Sequence, residues 1–233
     1  MKCLKDIKEW KECINEIMHE ECFGIMARLP DGIIDCVITD PPYGMDYQSS
    51  WRTATEQFDK IELDCDIEWF GQFAKEMFRL LKDNTHAYIF CNDYAISHFR
   101  QELEKVGFTI KRTLVWVKNN HTSGDLEGDY GNKTEFLLFC HKGRKELNGS
   151  RDTNVLTFPR VSTLLHPTQK PVQIIQYLLE KSSKEGDLIL DPFMGSWTTA
   201  RACKDLGRNF IGFEVSEKYC KIGEERLRQE LLF

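Results

Sequence analysis

The sequence predicts an α/β fold in which helices cover both faces of a doubly wound, mostly parallel sheet. Two observations support this prediction: short apolar runs alternate with helix-like segments, and two of those runs end in stretches that combine carboxylates with proline or glycine. Such alternation is typical of a parallel sheet flanked by helices. A length of 233 residues suits one domain of moderate size, so we expect residues 1–233 to form a single domain.

The predicted strands are six apolar runs, at residues 35–39, 86–91, 113–117, 136–140, 187–190 and 209–213. Apolar residues spaced close to 3.6 apart predict five helices. These helices span residues 67–82, 95–106, 171–182, 198–206 and 217–232. Strands and helices therefore alternate over most of the chain.

The charge distribution indicates where a polyanionic partner would bind. The formal net charge of −6 argues against a protein with a basic surface all round. Residues 111–170, however, contain ten Lys/Arg against six Asp/Glu. This local excess of positive charge predicts contact with a nucleic acid, although charge alone is equally consistent with a solvated face.

The cysteines and the apolar runs indicate the cellular setting. Nine cysteines are odd in number, and no two lie two to four residues apart, so neither a disulfide framework nor a metal site is expected. The longest apolar runs are far shorter than the roughly 20 residues that span a bilayer. The first residues carry charges every few positions and lack the apolar core of a secretion signal. We expect a cytoplasmic protein without a membrane anchor.

The first chemically informative stretch is VITDPPYG, at residues 37–44. Proline lacks an N–H donor and has a fixed φ, so Pro41 and Pro42 end the predicted strand abruptly and stiffen its end. The carboxylate of Asp40 and the ring of Tyr43 are therefore held rigidly where that strand ends. Taken alone, the stretch is also compatible with a rigid turn that carries no chemistry.

The second informative stretch is DPFMGSWTT, at residues 191–199, where a predicted strand turns into a helix. Gly195 allows a ligand to approach the backbone closely, and the helix start offers free N–H groups. The next predicted strand ends about twenty residues later at Glu214, and an acid at that place can accept both hydroxyls of a ribose. Since no G-x-G-x-x-G pattern is present, a nucleoside ligand without phosphates fits better than a dinucleotide. The alternative is an ordinary strand-to-helix turn.

Four stretches together resemble the amino-methyltransferases of DNA: TDPPYG (39–44), HPTQKP (166–171), DPFMGSWTT (191–199) and FIGFE (210–214). These enzymes transfer a methyl group from S-adenosylmethionine to an exocyclic amine of adenine or cytosine. DPPY precedes the cofactor loop here, which resembles the circularly permuted beta group of the family. The resemblance runs from about Asn15 to the end of the chain. It implies a Rossmann-like methyltransferase fold with permuted motif order, acting on double-stranded DNA.

The resemblance also implies which residues bind the cofactor. The matching loop and ribose positions are Asp191, Phe193, Gly195, Ser196 and Glu214. Thr168 and Lys170 are implied to lie near the methionine part of the cofactor, where Lys170 is available to pair with its carboxylate. Glu21 and Cys22 stand where the family has an Asp-Cys pair beside the adenine ring, and Asp40 is assigned to the cofactor site as well as to catalysis.

Trp197 departs from the family pattern, because a glycine usually occupies its place in the cofactor loop. If the backbone there requires φ > 0, a side chain costs roughly 1 kcal/mol. Alternatively, the indole packs over the cofactor. We favour the second interpretation, because the rest of the loop is intact.

The implied chemistry assigns roles to Asp40, Pro41, Pro42 and Tyr43. The lone pair of an exocyclic amine is delocalised into the ring of the base, so two aimed acceptors are needed to localise it. The Asp40 carboxylate and the Pro41 carbonyl are the candidates, and Asp40 can also accept the proton. Tyr43 offers a stacking surface worth about 1–3 kcal/mol to a base flipped out of the duplex.

The resemblance leaves several points open. Asp at the start of the DPPY motif favours N6 of adenine as the methylated amine, with N4 of cytosine as the alternative. Hypotheses of another class are an RNA or protein methyltransferase and an inactive cofactor-binding module. Residues 45–65 are expected to form a lid or a DNA-contacting loop, and residues 119–165 a short target-recognition region. Trp116 and Lys118 either line the base pocket or are a core tryptophan and a surface lysine. A homodimer is the expected assembly.

Overall fold

Eight strands form one sheet in the described part of the chain, which comprises residues 1–43, 67–121, 127–161, 165–166 and 168–229 of the computed structural model. The predicted lid, residues 45–65, lies outside these ranges. In chain order the strands are β1 (Met18–His19), β2 (Ile34–Thr39), β3 (Leu81–Cys91), β4 (Thr109–Val117), β5 (Thr134–Lys142), β6 (Val155–Thr157), β7 (Leu188–Asp191) and β8 (Asn209–Glu214).

The sheet has the strand order β1-β8-β7-β2-β3-β5-β4-β6. Neighbouring strands are parallel, except that β5 runs antiparallel to both β3 and β4. Strand β2 lies in the middle, with Cys36 opposite Ile189 of β7 and Thr39 opposite Ile89 of β3. The mostly parallel sheet predicted from the sequence is confirmed.

Helices cover both faces of this sheet. Those in the described ranges are α1 (Cys22–Met26), α2 (Phe70–Leu80), α3 (Ile96–Val106), α4 (Val172–Ser182), α5 (Thr198–Asp205) and α6 (Glu217–Arg228). Helices α1 to α3 pack on one face, where the rings of Phe70 and Phe99 stack 3.7 Å apart. Helices α4 to α6 pack on the other face through residues such as Ile174, Ala200 and Cys220. The apolar stripes that predicted the helices are thus the faces that they bury.

Three short elements were not predicted, because they are too short to show periodicity. Strands β1 and β6 contain two and three residues, and helix α1 contains five. The predicted helix 67–82 stops at Leu80, since the backbone of Leu81 is already extended (ψ 138°) and begins β3.

The strand directions determine where a site can form. Because β2, β7 and β8 are parallel, their carboxyl ends meet at one edge of the sheet, and Asp40, Asp191 and Glu214 all lie there. Strand β5 runs the opposite way, so its first residues, including Glu135, reach the same edge.

Two further findings concern composition rather than architecture. None of the described helices is long and apolar enough to cross a membrane. The eight cysteines that fall within the described ranges are all free thiols, and seven of them are buried.

Candidate active site

The corner after β2 contains the four residues that the sequence analysis proposed as catalytic: Asp40, Pro41, Pro42 and Tyr43. The Tyr43 hydroxyl donates a short hydrogen bond to Oδ1 of Asp40, three residues back along the chain. Pro41 is buried and Pro42 is partly buried, so the corner is packed as well as stiff. The Asp40 side chain is 18% exposed. Burial raises the pKa of its carboxyl, in spite of the opposing effect of a neighbouring ammonium group.

That ammonium group belongs to Lys170, just before α4. Its Nζ lies 2.5 Å from Oδ2 of Asp40 and 3.2 Å from Oε2 of Glu135. It also donates to the carbonyl of Thr168 at 3.3 Å. Although burial opposes it, the two carboxylates raise the pKa of Lys170. Lys170 was expected near the methionine part of the cofactor, available to pair with its carboxylate. In this structure its ammonium group pairs with Asp40 and Glu135 and donates to Thr168, so its nearest partner is the candidate catalytic acid.

Glu135 was missed by the sequence reasoning, although it opens the apolar run 136–140. Its Oε1 lies 2.6 Å from Nζ of Lys118, whose side chain is only 9% exposed. Although burial opposes it, Lys170 and Lys118 lower the pKa of Glu135. Of the two interpretations left open for Lys118, the surface lysine is wrong, because the side chain is buried and its ammonium lies 5.2 Å from the ring centre of Trp116.

The loop after β7 and the end of β8 form the second half of the site. Asp191 is buried and accepts a hydrogen bond from the N–H of Phe193 at 3.1 Å. The N–H of Gly195 donates to Oε2 of Glu214 at 2.8 Å, and the N–H of Ser216 donates to Oε1 at 2.9 Å. Burial raises the pKa of both Asp191 and Glu214 to about 7. The structure thus brings the predicted cofactor loop and the predicted ribose acid together.

Beside Glu214 lies a cavity of about 650 Å³. His19, Glu20, Glu21 and Val215 are among the residues that line it. Glu214 is not one of the lining residues, but two of its neighbours are: Val215 follows it in the chain, and His19 pairs with it across β1 and β8.

Glu21 and Cys22 both lie at the start of α1. The two carboxylate oxygens of Glu21 accept hydrogen bonds from the N–H groups of Phe23 and Gly24, at 2.9 and 3.2 Å. Glu21 is therefore the cap of α1. Cys22 is buried, and burial raises the pKa of its thiol.

An aromatic cluster connects α1 with the cofactor loop. The ring of Phe193 lies 5.5 Å from Trp69 and 5.2 Å from Phe73. Trp69 in turn contacts Phe23, the residue after Cys22, with ring centres 6.5 Å apart. The predicted contact residues at 21–22 and at 191–196 are thus held by one apolar cluster.

The HPTQKP stretch reaches both halves of the site. Nδ1 of His166 lies 3.2 Å from Oγ1 of Thr168, and the imidazole packs 4.3 Å from the ring of Tyr219. A Cβ on Gly195 would lie 3.4 Å from His166, an ordinary van der Waals distance, and it is the left-handed backbone of Gly195, with φ 50°, that favours glycine in this loop. Burial lowers the pKa of His166 to about 3. Sequence reasoning missed His166, although it is the first residue of the motif.

Trp197 requires a correction. Its backbone is left-handed, with φ 61° and ψ 33°, in the conformation that a glycine would adopt without strain. The indole is fully buried between β8 and α6: it lies 6.3 Å from the ring of Phe210, and a Cβ built on Gly223 would be 2.5 Å from the indole Cγ. The favoured prediction, an indole packed over the cofactor, is wrong, because the side chain points into the core.

Ser196, next in the loop, is also turned inward. Its hydroxyl lies 3.2 Å from Oγ1 of Thr198, and its carbonyl accepts a hydrogen bond from Nη1 of Arg226 at 2.5 Å. The loop is therefore held by α6 through the Arg226 hydrogen bond.

The fold and these groups define an S-adenosylmethionine-dependent methyltransferase, with a buried acid at the end of one strand and an acid followed by two prolines after another. A family model described as DNA methylase matches residues 34–225, and the chain belongs to that family. Type II methyltransferase M2.DpnII of Streptococcus pneumoniae is 30% identical over 243 residues, covering 92% of this chain and 90% of that protein. DNA adenine methyltransferase YhdJ of Escherichia coli K12 is 28% identical over 251 residues, covering 91% and 82%.

A solved structure agrees with this assignment. The M1.HpyAVI complex with S-adenosylmethionine has a TM-score of 0.73 and 29% identity, covering 92% of this chain and 99% of that one. The residues present here fit the same cofactor: the buried Glu214 keeps further lone pairs for hydroxyl donors, and Gly195 has no side chain in the loop beside it. When bound, S-adenosylmethionine supplies an electrophilic methyl group on a positively charged sulfur.

Proposed function

We propose that this chain methylates the N6 amine of adenine in double-stranded DNA. The observation that carries the proposal is the placement of Asp40 at the end of β2, directly beside β7 and the cofactor loop. An acid in that place can accept a hydrogen bond from an exocyclic amine while the methyl donor lies on the neighbouring strand. The printed description of YhdJ as a DNA adenine methyltransferase supports adenine as the base.

In the proposed reaction, Asp40 and the carbonyl of Pro41 accept the two N–H groups of the target amine. The amine lone pair then leaves conjugation with the base and becomes available for attack. Tyr43 and Lys170 each hold one oxygen of the Asp40 carboxylate, so its orientation is fixed before substrate arrives. The partly exposed ring of Tyr43 offers the stacking surface for the flipped base.

Cofactor roles are proposed for residues of both motifs. Glu214 accepts the ribose hydroxyls, and the backbone of Gly195 approaches the cofactor. Phe193 and Cys22 form the apolar side of the pocket, and Thr168 lies near the methionine end. These assignments rest on the position of the loop at the carboxyl edge of the sheet, on the hydrogen bond between Gly195 and Glu214, and on the contacts of Phe193 and Thr168.

The duplex is proposed to contact residues 119–165. The carboxyl end of β4 lies at the same edge as Asp40, and Asn119 and Lys133 are exposed there. Oδ1 of Asn119 accepts a hydrogen bond from the N–H of Arg160 at 2.9 Å, which joins the two ends of this region. A homodimer and a cytoplasmic setting complete the proposal; the free thiols support a reducing compartment.

The test is transfer of labelled methyl groups from S-adenosylmethionine to duplex DNA, RNA and protein in parallel, followed by nucleoside analysis of the DNA. We expect label in duplex DNA as N6-methyladenine. Label recovered as N4-methylcytosine would select the alternative base, and label only in RNA or protein would overturn the proposal. Sedimentation at working concentration tests the dimer, which a fully active monomer at nanomolar concentration would contradict.

A further inference from the structure

Four charged side chains form a line beside the catalytic corner, in the order Asp40, Lys170, Glu135, Lys118. The three successive nitrogen–oxygen distances are 2.5, 3.2 and 2.6 Å. The line starts at the end of β2, crosses the carboxyl edge of the sheet past β3, and ends after β4. It reaches Glu135 because antiparallel β5 presents its first residues at this edge.

The members of this line are removed from water. Their side chains are 18%, 7%, 23% and 9% exposed, in the same order. A buried charge costs several kcal/mol unless it is paired, and removing one partner leaves the other uncompensated. Two carboxylates and two ammonium groups make the line neutral as a whole.

Binding of the target amine by Asp40 and the Pro41 carbonyl does not in itself require Glu135 or Lys118. Asp40 would be neutralised by Lys170 alone, as a simple ion pair. Instead, Lys170 is shared between two carboxylates, and Glu135 is in turn shared between two lysines. The field at Asp40 is therefore set by Glu135 and Lys118 as well as by its direct partner Lys170.

We propose that Glu135 is a positioning residue for methyl transfer, which acts through Lys170 to orient the Asp40 carboxylate and to keep the buried charge beside the target amine balanced. This inference rests on the proposed function. As the methyl group arrives, the amine nitrogen gains positive charge. Without the Glu135 charge, Asp40, Lys170 and Lys118 together would carry a net positive charge next to that nitrogen. This charge would oppose methyl transfer, although no cofactor contact is removed.

The test compares variants of the full chain in single-turnover methylation of duplex DNA. Glu135→Gln keeps the size of the side chain and removes its charge. We expect the rate of transfer to fall by about 10- to 100-fold. The KM for DNA and the Kd for S-adenosylmethionine should stay within about threefold of wild type. Glu135→Asp, which keeps the charge, should retain most of the rate.

A double variant that keeps the charges balanced is the most discriminating part of the experiment. Adding Lys118→Met to Glu135→Gln removes one positive and one negative charge, so Asp40 and Lys170 remain as a neutral pair. We expect this double variant to recover at least about tenfold of the rate lost in Glu135→Gln. Glu180→Gln, which removes an exposed acid of α4 outside the proposed DNA-contacting region, is the matched control and should transfer at the wild-type rate.

The outcomes separate the inference from the proposed function. If wild type transfers no methyl group to adenine, the proposed function fails. If wild type is active and Glu135→Gln retains its rate, the inference is overturned. It is also overturned if Glu135→Gln loses rate only together with cofactor affinity, or if the double variant recovers nothing.

Discussion

The packing of Trp197 against Gly223 gives the sharpest prediction about stability. The indole is fully buried at the start of α5, and a Cβ on Gly223 of α6 would overlap it, 2.5 Å from Cγ. The Trp197 backbone is left-handed, with φ 61°. Two opposite contributions therefore meet in one residue: a buried ring that stabilises the fold and a backbone conformation that opposes it.

Their magnitudes can be separated by substitution. Emptying the indole site in Trp197→Ala should lower the free energy of unfolding by about 3–5 kcal/mol. Trp197→Gly empties the same site but relieves a left-handed strain of about 1–2 kcal/mol, so it should be the more stable of the two. Gly223→Ala should cost about 1–3 kcal/mol of overpacking in wild type, partly offset by about 1 kcal/mol of helix propensity.

The cycle is completed by combining Trp197→Ala with Gly223→Ala. Without the indole the new methyl group has room, so Gly223→Ala should become neutral or stabilising, with a coupling energy of about 1–3 kcal/mol. Urea denaturation of the four chains measures this, and titration with S-adenosylmethionine tests cofactor affinity in parallel. Additive free energies, or a Trp197→Gly variant as stable as wild type, would refute the packing described here.

Three further predictions concern the site and the core. Asp40→Ala should lower transfer at least about 100-fold in a filter-binding assay while cofactor affinity stays measurable, because only the amine acceptor is lost. Glu214→Gln should weaken S-adenosylmethionine binding about 10- to 100-fold by calorimetry, since hydrogen bonds to a charged group contribute about 1.5–3 kcal/mol. In wild type the affinity should fall as the pH drops through 7, because the Glu214 carboxyl, with its pKa raised to about 7 by burial, becomes protonated and a poorer acceptor. The free energy of unfolding of His141→Phe, relative to that of wild type, should rise by about 1–2 kcal/mol between pH 7.5 and pH 5, as measured by denaturation. Burial lowers the pKa of His141 to about 4 in the folded protein, below the unfolded value of 6.5. As the pH falls below 6.5, proton binding therefore favours the unfolded wild-type chain.

Each of these has a contradicting result. Retained transfer in Asp40→Ala would remove the acid from the mechanism. A Glu214→Gln variant that binds cofactor as tightly as wild type would place the ribose elsewhere. An unchanged stability difference between pH 7.5 and pH 5 would mean that His141 titrates normally in the folded protein.

The sequence was sufficient to predict the edge where the site forms. Asp40, Asp191 and Glu214 each follow or end an apolar run, and parallel strands deliver such residues to one edge of a sheet. Helices with clear 3.6 spacing were also predicted to within a few residues, because the apolar stripe is the buried face.

Other features depend on strand direction and on packing that no local pattern contains. Glu135 belongs to the site only because β5 is antiparallel to its neighbours. The pattern of apolar residues in a strand does not indicate the direction in which that strand runs. The direction of the Trp197 side chain depends on the space left by Gly223, which is 26 positions further on in the sequence. The partners of Lys170 likewise come from two distant strands.

The central position of β2 also has a consequence for how the protein is made. The hydrogen bond from the N–H of Leu188 in β7 to Asp35 in β2 joins residues 153 apart, and the contact of Asn15 with Phe210 joins residues 195 apart. While a ribosome is still synthesising the first two thirds of the chain, β2 has an open edge where β7 will lie. The strand that leads into the proposed catalytic acid, Asp40, is thus synthesised early and enclosed late. Folding should be slow because these contacts have high sequence separation, and methyl-transfer competence can arise only after β7 and β8 have emerged.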